Sequence, residues 1–543
     1  MNEIIASIKT IAGVEISEPL TIKGALITGN IIIAVGDVKL PFELVIYPQY
    51  PFQVHDTETI KFINKGLIEY NHVMSDGHVC IHTQHNPELK TKIISDFDSL
   101  KQWINKYYLK KEGDIHYEHL IVKQGDIDNT RFTFLFTEVD YRFKKGEFGY
   151  CECGFMVDGA HEKIRINTLL VQSFTTSTQV AKCKWSKFYD VLPKGVGIYL
   201  YIEDSPAKHK RFIIDNWLDL EPYVDASFMD FLYKFQTEIP KKDRSKPLFM
   251  FVGYEVPGNE VHWQCVAIDV IDVPNYGEKL PGTKTYVGRF YDMPMNWMAT
   301  RNVSYKYFFG RGSLNKKLTD SKILIVGVGA LGSQLATTLA RGGCKSLTVT
   351  DYDIKEPENV CRSEYLFKTG LTGKVLELSK TLIEISPFVD VKPYEFFTDA
   401  IKDFINSGFH DTQIKESLEQ FDFIFDCSTD NDLAFILDRL NPKSEIINIS
   451  ITNKAKELVC VTKPNLYNWM NELFAGIDSD VEDLYNPTGC WSPTFKASYN
   501  DIAIMVQQAI QQINQCFEND KPLRNFILEK RVGENININY KQF

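Results

Sequence analysis

The spacing of apolar residues changes character three times along the chain. Near the start, ALITGNIIIAVGDV and LPFELVIY carry apolar side chains in alternation and in short runs, which predicts strands. A helix-like start precedes them and the turn-rich PQYPFQVHD follows. Farther on, Phe97, Leu100, Trp103, Ile104 and Tyr107 recur at helical spacing in SDFDSLKQWINKYYLKK. Residues 1–128 therefore read as a small α+β domain. Residues 129–290 are strand-rich (RFTFLFTEVDYRF, GVGIYLYIED, PLFMFVGYEV, HWQCVAIDV), with one helix predicted in DASFMDFLYKFQTEI. They read as a connecting α/β domain with no chemical signature. From 291 to 543 the chain repeats strand–turn–helix units: KILIVGVG, ALGSQLATTLARGG and SLTVTDYD, then FDFIFDCSTDN and EIINISI. Strands that are apolar almost throughout, alternating with helices, predict a doubly wound, Rossmann-like parallel sheet.

Composition narrows the classes. The net charge is −11, with no densely basic stretch, so nucleic acid is not the expected partner. Runs such as ILIVGVGALG are too short to span a bilayer, and MNEIIASIKTIAGVEI lacks the apolar core and cleavage site of a secretory signal. Eleven scattered cysteines in a chain this long predict reduced thiols and a cytoplasmic location. The C-x-C pair Cys151 and Cys153 has no second pair and is weak evidence for zinc.

Gly327, Gly329 and Gly332 form G-V-G-A-L-G between a strand and a helix. The first glycine permits a tight turn, the second lets phosphate approach the backbone, and the third lets helix and strand pack. The next strand ends in Asp351, where an acid can bind a ribose hydroxyl. To this point an NAD-linked dehydrogenase fits as well as an ATP enzyme. Then Asn359, Arg362 and Lys374 arrive in quick succession, two cations and an amide that suit a triphosphate better than a nicotinamide. Asp426, Asp430 and Asn431 follow at a strand end, where an aspartate can hold Mg²⁺ between phosphates.

The series GxGxxG, DxD, N-x-x-R, GK and D-x-S-T-D-N resembles the ubiquitin-activating (ThiF-type) superfamily over about 250 residues. The resemblance implies that Asp351 binds ribose, that Arg362 and Lys374 bind the phosphates of ATP, and that Asp430 sits with Mg²⁺. It also implies an upstream arginine on ATP, Arg301 or Arg311, often supplied by a partner subunit. The family's N-x-N-R-Q stands here as Asn359-Val360-Cys361-Arg362-Ser363, without the second Asn and the Gln. In thioester-forming members a crossover loop carries the nucleophilic cysteine. Cys490, in NPTGCWSPTF ahead of a helix predicted at about 501–516, is the positional match.

MSDGHVCIHTQH leaves core filler, metal ligand and nucleophile all open for Cys80. On a strand His78, Cys80 and His82 would share one face, but ligands so close on one rigid strand converge poorly on a tetrahedral ion. The order helix, strands, LVIYPQYPFQV, Gly77-His78-Val79-Cys80, helix resembles the ubiquitin-conjugating fold, which implies that Cys80 accepts the thioester. His72 stands where relatives carry the Asn of His-Pro-Asn, implying a hydrogen bond to the oxyanion or to the incoming amine. Both halves in one chain resemble bacterial fusions of a conjugating and an activating enzyme found in CBASS anti-phage operons. That likeness implies a homodimer whose modifier is a protein with a free C-terminus, a cGAS-like nucleotidyltransferase, joined to a target amine. A ubiquitin-like or sulfur-carrier protein encoded elsewhere remains the alternative modifier, and an NAD oxidoreductase the alternative activity. The chain ends NYKQF, without a Gly-Gly tail, so the modifier is expected to be another gene product.

Overall fold

The alternation near the N-terminus becomes two long strands, Leu26–Val35 and Val38–Ile46, joined by a two-residue turn in which Gly36 takes φ +59°. The computed structural model describes residues 2–543 except 56, 75, 113–123, 162, 205, 209–210, 213, 239–246, 257–259, 270, 407–410, 476–496 and 534. The chain divides into two units, residues 1–183 with 193–302, and residues 184–192 with 303–543.

The first unit contains two large sheets and two two-stranded ones, Ala207–Lys208 with Arg211–Phe212 and Asn275–Lys279 with Tyr286–Phe290. The N-terminal one is antiparallel, in the order Val14–Ile16, Leu26–Val35, Val38–Ile46, Ile60–Ile63, with Thr21–Lys23 alongside Leu26–Val35. Ile31, Ile33, Phe42, Leu44 and Phe62 meet Ile93, Phe97 and Leu100 of the helix Leu89–Trp103 in one core. That helix begins six residues before the periodic stretch SDFDSLKQWINKYYLKK, because the Glu88 side chain caps it by accepting the Lys90 and Thr91 N–H groups. Its apolar stripe is as the spacing predicts, and it runs on as a π-helical segment, Ile104–Leu109.

Lys92, on this helix, is buried. Its Nζ donates to Glu58 Oε2 at 2.8 Å, Asp96 Oδ1 at 2.6 Å and Thr83 Oγ1 at 2.5 Å. Tyr50 OH donates to Asp96 Oδ2 at 2.7 Å and Gln53 Nε2 to Glu58 Oε1 at 2.7 Å. Burial pushes the Asp96 carboxyl up, against the hydrogen bonds from Lys92, Thr83 and Tyr50. Burial acts the same way on Glu58, but hydrogen bonds from Lys92 and Gln53 outweigh it and hold that carboxyl below its ordinary value.

The second large sheet of this unit is mixed, in the order Asn296–Trp297, Glu260–Ile268, Leu248–Val256, Lys194–Glu203, Glu147–His161, Ile164–Thr175, Thr130–Phe136, Ala299–Asn302. The helix Ala226–Glu238 packs Phe228, Met229, Leu232 and Phe235 into one core with Ile198, Leu200, Val252 and Val266. Cys151 and Cys153 are buried with their Sγ atoms 4.0 Å apart. Among the described residues no group of three or more His, Cys, Asp or Glu is placed to hold a metal.

In the second unit five strands are parallel, in the order Asp390–Pro393, Ser346–Thr350, Lys322–Val326, Phe423–Asp426, Glu445–Ile451. The sheet then departs from the expected parallel form. Glu457–Thr462, Phe526–Val532 and Ile536–Gln542 continue it antiparallel. The five residues between Ile451 and Glu457 are too few for a crossover, so the chain must turn back. Helices cover both faces: Leu335, Leu378, Val506 and Ile510 on one, Leu433 and Leu437 on the other.

Asp426 closes its strand fully buried. Ser428 N and Oγ donate to Oδ1 at 3.0 and 2.7 Å, and Asn448 Nδ2, on the neighbouring strand, to Oδ2 at 2.9 Å. Burial pushes its pKa from 3.8 to about 6 despite these bonds.

Two outcomes follow for stability. Lys92→Met leaves two buried carboxyls without their cation and should cost about 3–5 kcal/mol. Hydrogen exchange of the Leu26–Val35 amides measures this, and a loss under about 1 kcal/mol would remove the network from the account of the fold. Asp426 binds its proton more tightly folded than unfolded, so its contribution to stability falls as pH rises from 3.8 through about 6. Asp426→Asn does not titrate. Its stability relative to the parent should therefore rise between pH 5 and 7.5, by about 1 kcal/mol, in urea unfolding at the two pH values. An unchanged difference would place the Asp426 pKa near 3.8 instead.

Candidate active site

The strand Lys322–Val326 delivers the chain to a turn that only glycine can make. Gly327 has φ +79°, and a Cβ there would stand 2.8 Å from Ser428 N. A Cβ on Gly332 would stand 1.9 Å from Gly327 O, so the helix Ala330–Arg341 lies directly on the turn. Gly329 is the helix N-cap, has no capping side chain, and has open space where a Cβ would be. Among the described residues no side chain caps the first N–H groups of the helix, and the helix dipole favours an anion there.

In front of this helix end is a cavity of about 930 Å³. Gly327, Gly329, Asp351, Asn359, Arg362, Lys374 and Asp430 all line it, so the fold gathers residues spread over a hundred positions. Asp351 accepts the Val328 N–H at 2.9 Å and the Asp353 N–H at 3.0 Å. Burial pushes its carboxyl up, while the Lys374 charge and these N–H groups oppose the rise. Lys374 starts the helix Lys374–Ile385, and its Nζ meets Asp353 Oδ2 at 2.6 Å. Asn359 Oδ1 accepts the Glu356 N–H at 2.9 Å, which shapes the loop leading to Arg362. Asp430 caps the helix Asn431–Leu440, its Oδ1 accepting the Asp432 and Leu433 N–H groups at 3.1 Å, and its Oδ2 meets Lys402 Nζ at 2.7 Å. Burial pushes the Asp430 carboxyl up, but Lys402 and the helix N–H groups outweigh it and hold it low.

Lys402, outside every motif, and Ser428, inside D-x-S-T-D-N but given no role from the sequence, also line the cavity. Lys402 lies on the amphipathic helix Phe397–Asn406, in no motif, and only the fold brings it to Asp430. Of the two upstream arginines, Arg301 lies in the first unit on the strand Ala299–Asn302, its Nη1 donating to Thr300 O at 2.7 Å. Arg311 follows the helix Tyr305–Phe309 in the second unit and does not line the cavity. Cys490 lies outside the described residues.

An uncapped helix end, three cations and backbone approach at two glycines fit a nucleoside triphosphate. Asp430 fits Mg²⁺, because the Lys402 ammonium already holds a cation's place at Oδ2.

The second cysteine region is the loop between Ile60–Ile63 and Leu89–Trp103. Cys80 is half-buried, and its N–H donates to His72 O at 2.6 Å. His72 takes φ 61° and its ring packs on Tyr107 at 4.9 Å. Cys80 Sγ lies 3.4 Å from His82 Nε2. His78 Nδ1 faces Asp76 Oδ1 at 2.5 Å, where burial pushes the imidazole pKa down against that carboxylate, and His85 stacks on Phe52 at 5.7 Å.

Residues 300–447 match the ThiF family. The chain is 25% identical over 220 residues to the ATP-dependent ubiquitin transferase-like protein Cap2 of Enterobacter hormaechei, covering 39% of this chain and 35% of that protein. It is 29% identical over 125 residues to the molybdopterin-synthase adenylyltransferase of Haemophilus influenzae, covering 23% of this chain and 47% of that protein. The chain therefore spans a third to a half of the length of these curated relatives. The crystal structure of E. coli MccB with ATP aligns with 42% of this chain and 65% of that one, at 13% identity and a TM-score of 0.30, too loosely to bear on function. Residues 300–447 are thus similar to the ThiF family, and the chain shares part of its length with an ATP-dependent transferase-like protein and an adenylyltransferase.

Proposed function

We propose that this chain activates the C-terminal carboxylate of a modifier protein with ATP, captures it on Cys490, passes it to Cys80 and ligates it to an amine of a target protein. What supports this reading most is one observation: a cavity lined by Gly329, Asp351, Arg362, Lys374 and Asp430 and a half-buried cysteine beside a histidine occur in the same polypeptide. The modifier is a cGAS-like nucleotidyltransferase and the enzyme a cytoplasmic homodimer, as the sequence resemblance to anti-phage fusions implies, and the likeness to a ubiquitin transferase-like protein agrees with transfer of this kind.

The residues divide the work. The helix end at Gly329 and the cations Arg362 and Lys374 hold the phosphates, and Asp351 holds the ribose. Arg301 or Arg311, neither of which lines the cavity of its own subunit, is the further phosphate contact, supplied by a partner subunit as the resemblance implies. Asp430, now paired with Lys402, would hold Mg²⁺, which would supply screening of the phosphate charge. The modifier carboxylate attacks the α-phosphate. That attack yields an acyl-adenylate and pyrophosphate. The Cys490 thiolate then attacks the acyl carbon and AMP leaves. Transthiolation to Cys80 follows, and His72 supports the oxyanion as the target amine attacks.

A second reading is favoured by the likeness to a molybdopterin-synthase adenylyltransferase: activation of a small carrier protein, with the N-terminal domain accessory. In that case Cys80→Ala completes every reaction.

Two measurements test the proposal. ATP–pyrophosphate exchange should require the modifier, and Lys374→Ala should slow it by about 10²-fold, the usual loss for one electrostatic donor. Nicotinamide binding without exchange would replace the reading with an oxidoreductase. Incubation with ATP–Mg²⁺ and modifier, resolved without reductant, should show thiol-sensitive adducts on Cys490 and Cys80. Adducts on Cys80 that persist in Cys490→Ala would sink the relay.

A further inference from the structure

We infer that His82 is the proton acceptor of Cys80, so that the N-terminal site works through a histidine-paired thiol. The inference concerns the Cys80 of the proposed conjugating reaction and rests on that reading for its place in the chemistry. The geometry supporting it does not.

Ile81 is buried in the N-terminal core, at 4% exposure, while Cys80 is half-buried and His82 exposed. In extended chain, residues two apart point the same way. An apolar anchor between them therefore turns both reactive groups to the surface together and brings Nε2 within 3.4 Å of Sγ. The segment is held at both ends. Ahead of it, Cys80 N–H bonds to His72 O at 2.6 Å. Behind it, Thr83 Oγ1 donates to Asp96 Oδ1 at 2.6 Å and meets Glu58 Oε1 at 3.2 Å and Lys92 Nζ at 2.5 Å. The buried charge network thus fixes the residue next to His82, and a fixed base is what a weak nucleophile needs. The neighbouring histidines have other work: His78 on Asp76, His85 on Phe52, His72 on Tyr107.

The proton path balances without further reagents. The Cys80 S–H proton passes to His82 Nε2, leaving a thiolate and an imidazolium. The thiolate attacks the thioester carbonyl of the loaded donor cysteine. One C–S bond forms at Cys80, the donor C–S bond breaks, and the imidazolium proton goes to the departing thiolate. In the second step a target amine attacks the same carbonyl, its proton moves to Nε2, and Cys80 leaves as a thiolate that regains a proton from the imidazolium. Because His82 is exposed, its proton can also exchange with water.

The test reads the thiol directly and needs no modifier. The full-length chain is alkylated with iodoacetamide between pH 6 and 9, and the rates at the Cys80 and Cys361 peptides are followed by mass spectrometry. Cys361 is exposed and serves as the internal reference. Cys80 in the parent protein should titrate below the usual thiol value of about 8.5. Its rate at pH 7 should fall about tenfold in His82→Gln and in His82→Ala, with Cys361 unchanged and with partial recovery of the Ala variant in added imidazole. The charged groups around the site, Asp76, Lys61, Glu58, Lys92 and Asp96, are common to parent and variants, so the difference isolates His82. A parent midpoint at the ordinary thiol value overturns the inference, whatever the variants do. Equal rates in parent and variants overturn it as well. A His82-dependent rate without any thioester on Cys80 would leave the pairing standing and remove the conjugation reading instead.

Discussion

The contact on which the second unit depends is the one between Gly332 and the carbonyl of Gly327. There is no room for a side chain, so the helix Ala330–Arg341 rests directly on the turn that follows its strand. That contact points the uncapped helix end at the cavity and puts Val328 N–H within reach of Asp351. It also brings Gly327 against Ser428, so the ends of two adjacent strands, Lys322–Val326 and Phe423–Asp426, are locked at the cavity edge. Everything that could grip a phosphate is arranged around it.

Each half also uses a buried lysine to hold a loop that would otherwise have little of its own to fold around. Lys92 ties Thr83, and so the chain after Cys80, to the helix Leu89–Trp103. Lys355 is 2% exposed and joins Glu377 at 2.7 Å, Leu366 O at 2.7 Å and the Thr369 hydroxyl. It thereby pins the loop that carries Asn359 and Arg362 to the helix Lys374–Ile385. Burying charge is costly, and apolar packing would stabilise as well. What the ionic clusters add is direction: each bond can form in one arrangement only, and the loops they fix bear the reactive groups.

In its present arrangement the cavity pairs two of its cations with its own carboxylates. Lys374 rests on Asp353 and Lys402 on Asp430. A triphosphate would draw Lys374 away from Asp353, and a metal held at Asp430 would displace Lys402, whose ammonium would then be available to the added phosphate charge. The cost of entry is thus the breaking of two ion pairs, one of which joins a nearly buried Lys374 to a half-exposed Asp353.

The sequence determined the elements whose cause is local. Apolar runs made the parallel strands, the period in Phe97, Leu100, Trp103 and Ile104 made the helix face, and the spacing of Gly327, Gly329 and Gly332 announced the turn, because each follows from near neighbours along the chain. The antiparallel end of the second sheet was legible in principle in the short link between Ile451 and Glu457, but strand character alone does not show direction. Tertiary structure decided the rest. Lys402 carries no motif, and a lone lysine on an amphipathic helix reads as a solvated charge until a distant strand end places Asp430 against it. His82 was one of several histidines around Cys80. Its nearness to the sulfur comes from the buried side chain of Ile81 and from Thr83 held by Asp96 and Lys92, which are contacts between residues far apart in the chain. Periodicity reports which side of an element is buried. It does not report which polar groups meet across the space between elements, and that is where the chemistry of this protein lies.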